Sequence, residues 1–161
     1  MDKSKYPYFA RTFPSDNYQV TTLIHLAVKM NVTTASVLYS GDTYSYNLAR
    51  NFILRFQSDV NPEGVLLDSM FEKVDADGVA IPVSYQKLIE SILSAGAPGV
   101  VLITSDTHAY NLFTTANSFP LYIERQQDYL WFGSDWWTGY DYVLKEAPLG
   151  CTYWPKYWPK Q

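Results

Sequence analysis

In four places the sequence sets short polar side chains directly behind a run of aromatic, aliphatic or β-branched residues. These are Ser15-Asp16, Asp42 with Tyr44, Ser105-Asp106 and Ser134-Asp135. Carboxylates collected at one rim would attract a cationic group such as an ammonium, each charge-assisted hydrogen bond contributing about 1.5–3 kcal/mol. The same residue types are also ordinary helix N-caps, which satisfy free backbone N–H groups and the helix dipole. Capping suffices to explain Asp42 and Asp106. It explains Asp135 less well, because no clear helical pattern follows that residue. Trp136 and Trp137 come next, and they either wall a pocket beside the carboxylate or plug space under the following loop. Tyr44, four residues before Leu48, also fits the core face of a helix.

The elements that would position these residues follow from periodicity. Tyr8 to Phe13, Ala35 to Tyr39, Val65 to Val74, Val100 to Ile103 and Tyr129 to Phe132 have strand character. Between them lie helical spacings: Val20, Leu23, Ile24, Ala27 and Val28; then Leu48, Ala49, Phe52, Ile53 and Phe56. A third follows with Tyr85, Leu88, Ile89, Ile92 and Leu93, and a fourth with Leu112, Phe113 and Ala116. Pro14-Ser15-Asp16 and Ser84 are helix-start signals, and Gly96 is a left-handed terminator. Asp75-Ala76-Asp77-Gly78 is a turn that lacks the spacing of a calcium loop. Strands alternating with helices imply right-handed crossovers. The expected fold is α/β: a doubly wound, mainly parallel five-stranded sheet with helices on both faces. In such sheets ligands bind outside the carboxyl ends of the strands, where the four polar sites fall. From Thr138 onward the helical period fades. The tail repeats Tyr-Trp-Pro-Lys at 153–156 and 157–160, where each proline blocks helix continuation.

Composition narrows the function classes. A chain of 161 residues with 47% hydrophobic and 17% charged residues can bury one domain core. A net charge of −4 with scattered basic residues argues against a nucleic-acid partner. No run is long and apolar enough to span a bilayer, and the amino terminus has no signal-peptide pattern. The single cysteine, Cys151, excludes an internal disulfide and a cysteine-rich metal site; a buried thiol is the plain reading. Asn31-Val32-Thr33 is a glycosylation sequon at a helix end, so Asn31 is a candidate acceptor. No nucleophile elbow precedes a serine, and there is no phosphate-cradling glycine loop. His25 falls within a helical pattern and His108 in the opening turn of the fourth helix. Neither argues for catalysis; no catalytic residue, metal ligand or cofactor is expected.

The motifs, in order, resemble a known family. Residues 2–16, ending Arg-Thr-Phe-Pro-Ser-Asp, are similar to the start of the second lobe of the receptor ligand-binding region, the bilobed type I periplasmic-binding-protein fold. Class C G-protein-coupled receptors and receptor guanylate cyclases carry that region. Val-Leu-Tyr-Ser followed by Gly-Asp-Thr-Tyr at 41–44, Val-Val-Leu-Ile-Thr at 100–104, Trp-Phe-Gly-Ser-Asp-Trp-Trp at 131–137 and Ala-Pro-Leu-Gly at 147–150 keep the family order. The resemblance implies that Asp16, Tyr44 and Asp135 hold the ammonium of an amino-acid-like ligand, with Ser105 contributing from its loop. Ser45 and Trp136 stand where the family pattern has glycine, and the ring of Trp136 would stack on a ligand or close the cleft.

The expected organisation is therefore a second lobe over 1–150 and an aromatic, proline-rich tail or return segment over 151–161. The expected function is non-catalytic sensing of a small amine-bearing ligand by closure against a first lobe outside this sequence. That places the lobe in the extracellular portion of a membrane receptor, attached through segments not in this chain, with homodimerisation open. A scaffold or dimerisation module of the same fold is the alternative, favoured if Trp136 fills the crevice. A small α/β enzyme, testable at His108, ranks third.

Overall fold

The computed structural model describes residues 16–71, 73–74, 80–81, 83–148 and 151–153; side chains are described for 17–71 and 83–148. The segment expected as a strand at Tyr8 to Phe13, the turn at Asp75 to Gly78 and the tail beyond 153 lie outside them.

Five strands build one sheet: β1 (Ala35–Tyr39), β2 (Val65–Met70), β5 (Gly99–Ile103), β6 (Leu130–Gly133) and β7 (Cys151–Tyr153). Their order is β2-β1-β5-β6-β7 and every pairing is parallel. Two short strands, β3 (Lys73–Val74) and β4 (Ala80–Ile81), form a separate antiparallel pair. The long strand expected over Val65 to Val74 is thus two strands. β2 stays in register with β1 to Met70, and the chain then leaves the sheet.

Helices cover both faces, as the strand–helix alternation requires. α1 (Asp16–Lys29) and α2 (Thr43–Asp59) lie on one face, where Val20, Leu23, Leu48, Phe52 and Phe56 meet Val37, Val101 and Phe132. α3 (Tyr85–Ala95), α4 (Asp106–Asn117) and the shorter α5 (Pro120–Arg125) lie on the other. There Ile89, Ile92, Leu112, Phe113 and Tyr122 meet Leu38, Val100, Leu102 and Trp131. Alternate residues of each central strand point to opposite faces, so β1 and β5 are buried along their whole length. β2, at the edge, alternates between half-buried and exposed.

The local signals act as their chemistry dictates. The side chain of Ser84 accepts from the Lys87 N–H at the start of α3, and Gly96 ends that helix at φ 65°. Val28, expected inward, is 56% exposed while its neighbour Ala27 is buried, so the apolar stripe of α1 ends at Ala27 before Asn31 takes φ 56°. The helical period does fade around Thr138, yet helical structure does not end there. α6 (Asp135–Thr138) and α7 (Asp141–Glu146) follow β6, each too short to show a period.

The order of strands places a crevice. From β1 the chain crosses to β2 on one side; from β2 it returns past β1 to β5 and continues outward through β6 and β7. Right-handed crossovers running in opposite directions place their helices on opposite faces. The helices therefore part between β1 and β5, and in open parallel sheets that parting, beyond the strands' carboxyl ends, is where ligands lodge.

Candidate functional site

The floor of the crevice is a row of hydroxyls, one immediately behind each of three adjacent strands. Ser40 follows β1, Thr104 follows β5 and Ser134 follows β6, and all three are buried. The hydroxyls of Ser40 and Thr104 are hydrogen-bonded to each other across the switch point. The Ser40 and Ser134 N–H groups extend the sheet ladder by donating to the carbonyls of Ile103 and Leu102. Aligned strand ends thus set the next residues of each loop at one level.

Above this floor the chain brings together residues 91 positions apart. The Tyr44 hydroxyl donates to Asp135 Oδ1 at 2.8 Å. Tyr44 sits in the first turn of α2, where Asp42 caps the helix by accepting from the Ser45 N–H at 2.9 Å. Its ring packs on the α1–α2 side of the core while its hydroxyl reaches the rim. Both alternatives for Tyr44, core packing and rim chemistry, therefore hold for different parts of one side chain. Gln19, in the first full turn of α1, donates through Nε2 to the same hydroxyl at 3.0 Å. The phenol is thus held from one helix and aimed from another. Asp16 opens α1 one turn earlier, and its side chain lies outside the described residues.

Asp135 opens α6, so a helix does follow it, although Ser134 makes no side-chain cap bond there. The two tryptophans behind it divide. Trp137 is fully buried, with its indole N–H donating to the Leu102 carbonyl at 3.0 Å and its ring edge-on to Phe113. Trp136 is 39% exposed and meets Tyr44 with ring centroids 5.6 Å apart and planes at 72°. The plug and the wall are both present, in consecutive residues. Gly133 permits this: a Cβ there would lie 2.4 Å from the Trp137 ring and 2.7 Å from Thr138, so α6 folds back over a position that only glycine leaves open.

Ser105 caps α4, accepting from the His108 N–H at 3.5 Å, and is half-buried on the rim. The expectation that capping explains Asp106 needs correcting, because Ser105 is the cap. Asp106 instead accepts from the Tyr142 hydroxyl of α7, and this bond pushes the Tyr142 phenol up to about 12. His108 is hydrogen-bonded through Nδ1 to the Tyr85 hydroxyl at 2.9 Å and lies 5.3 Å from the Phe71 ring. His25 and Asn31 are exposed. Sequence reasoning missed Gln19 and Tyr142, whose partners come from distant helices. Among the described residues no group of three histidine, cysteine, aspartate or glutamate side chains could hold a metal ion, and no helix is long and apolar enough to cross a membrane.

The family model described as the receptor family ligand binding region matches residues 1–151. The chain belongs to that family. Individual receptors also resemble it. The probable metabotropic glutamate receptor mgl-1 of Caenorhabditis elegans is 26% identical over 84% of this chain. The G-protein coupled receptor family C group 6 member A is 26% identical over 85% in Homo sapiens and 28% over 85% in Bos taurus. In each case the match covers 14% of the relative, so the chain spans a small part of the receptors it matches. The fold fits that membership: a parallel doubly wound sheet with its polar loops at one rim.

Proposed function

We propose that this chain is the second, ligand-sensing lobe of the extracellular portion of a membrane receptor, spanning residues 1–150, with a return segment over 151–161 that begins as β7. In this reading it binds a small amine-bearing ligand, such as an amino acid, by closing against a companion lobe. The observation that carries it is the Tyr44–Asp135 hydrogen bond across the switch point. That bond holds a solvent-facing carboxylate in a fixed pose at the location where open α/β sheets take their ligands. Asp135 supplies the charge for the ammonium and Tyr44 orients it. Asp16, at the head of the helix that carries Gln19, is the second carboxylate, and Ser105 offers a hydroxyl from the adjoining loop. Trp136 forms the side wall. Asn31, exposed at the far end of α1, is a surface position suited to glycosylation.

The role is binding rather than catalysis, in keeping with relatives whose names describe receptors. Closure signals only if the ligand favours the closed form, and an ammonium that meets these carboxylates as the lobes approach provides that difference. The test is calorimetric titration of amino acids and simple amines into a two-lobed protein containing this chain. Asp135→Asn is expected to weaken binding by about 10- to 150-fold, the equivalent of about 1.5–3 kcal/mol for one charge-assisted bond, and Tyr44→Phe by a smaller factor. Unchanged affinity in both variants would refute the assigned site. A stable dimer indifferent to every amine would establish the scaffold reading in its place.

A further inference from the structure

We infer that the rim site beside Asp135 selects N-alkylated cations, with quaternary ammonium as the limiting case, over a bare primary ammonium. This rests on the ammonium-binding reading of Asp135 and names the class of cation that site prefers. Three observations on this chain's own residues carry it.

The first is the wall. Trp136 keeps 39% of its surface exposed directly beside the carboxylate, although the residue next to it is fully buried. Its contact with Tyr44 is near-perpendicular, at 72°. Such a contact covers only one face of one ring, so an exposed indole retains a face for a further partner. Two aromatic rings set as a corner are the arrangement that attracts a diffuse cation through their quadrupoles, and indole is the strongest of the aromatic side chains in this respect.

The second is the carboxylate. Asp135 Oδ1 already accepts the Tyr44 hydroxyl, and that hydroxyl is in turn engaged by Gln19. These bonds hold the negative charge at a fixed place beside the ring. A primary ammonium gains most from accepting oxygens, because it must replace three strong hydrogen bonds to water. A quaternary ammonium has no N–H to satisfy and sheds its water more readily, so it is drawn to the site by the fixed charge and the ring together.

The third is the apolar character of the wall. The half-exposed ring of Trp136 sets an apolar surface beside the polar Tyr44–Asp135 pair. N-methyl groups fill the space against such a wall.

The experiment uses the 161-residue chain, ¹⁵N-labelled, with tetramethylammonium chloride and methylammonium chloride as probes at equal ionic strength. Backbone signals of 133–138 and of Tyr44 and the indole signal of Trp136 are followed by NMR titration. The expected result is a dissociation constant at least fivefold lower for tetramethylammonium, with Trp136→Gly removing that preference while methylammonium still binds. Asp135→Asn is expected to weaken both probes. Methylammonium binding as tightly as tetramethylammonium, or a preference that survives Trp136→Gly, would overturn this inference and leave the ammonium site standing. Neither probe moving these signals would sink the inference and the ammonium site together.

Discussion

Trp136 and Trp137 are neighbours on one turn of α6, yet they belong to different parts of the molecule. Trp137 is wedged under the helix against Phe113, with its N–H satisfied by a strand carbonyl, while Trp136 stands at the rim against Tyr44 and solvent. The difference teaches that a short helix can serve as a mount. Its inward residue fastens α6 to the sheet, and that fastening fixes where the outward residues, Asp135 and Trp136, are held. Removing the fastener should therefore cost far more stability than removing the ring it displays. Trp137→Ala is expected to lower the unfolding free energy by about 3–5 kcal/mol, in the range for deleting a buried aromatic. Trp136→Ala should cost about 1 kcal/mol or less, the scale of one exposed edge-to-face contact. Chemical denaturation of both variants checks the pair, and equal losses would show that the two rings do the same job.

The glycine beneath them sharpens the contrast. A methyl group at position 133 would meet the Trp137 ring at 2.4 Å and Thr138 at 2.7 Å, and neither can withdraw without lifting α6. Gly133→Ala is expected to cost about 1–3 kcal/mol by overpacking. It should also shift the resonances of Asp135 and Trp136 although neither is mutated, which heteronuclear NMR would read directly. A variant with wild-type stability and an undisturbed Tyr44–Asp135 contact would mean that α6 is not seated on Gly133.

These effects also show what was legible in the sequence. Four strands of the sheet and its first four helices could be read, the helices because each runs for eleven residues or more, and Ser84 and Gly96 mark ends with unambiguous chemistry; β7 lies where a tail or return segment was expected. α6 and α7 could not, since four and six residues carry too few turns to show a period. Their formation is imposed by burial of Trp137 and Val143 in the core, a tertiary cause. The same holds at the site. Tyr44 and Asp135 were identifiable from their places behind strands, but Gln19 lies inside a helix with nothing local to set it apart. Its bond to Tyr44 arises from the packing of α1 on α2. Likewise β2 ends at Met70 because its pairing partner β1 ends at Tyr39, which no composition signal around 70–74 reveals.

A second tyrosine–aspartate pair lies on the opposite side of the rim, and it separates orientation by one hydrogen bond from orientation by a network. Tyr142 donates to Asp106, with the exposed rings of Tyr110 and Tyr140 at 5.5 and 5.9 Å. The carboxylate bond, then a little burial and the charge of Asp106, raise its phenol to about 12. The proton is held more tightly in the fold than in the unfolded chain. The pair's contribution is therefore complete below about pH 10, the ordinary phenol value, and is lost as pH rises through about 12. Because the ring is solvent-exposed the effect on stability is small, and the informative readout is the titration itself. Ultraviolet titration of tyrosinate, comparing wild type with Tyr142→Phe, should show one phenol missing from the high-pH end. Asp106→Asn should bring that phenol down toward the ordinary range, with the Tyr44–Asp135 contact unaffected. A Tyr142 that ionises with the free tyrosines in the wild-type protein would mean that its bond to Asp106 does not persist in solution, leaving the α4–α7 side of the rim without the fixed carboxylate that the α2–α6 side keeps.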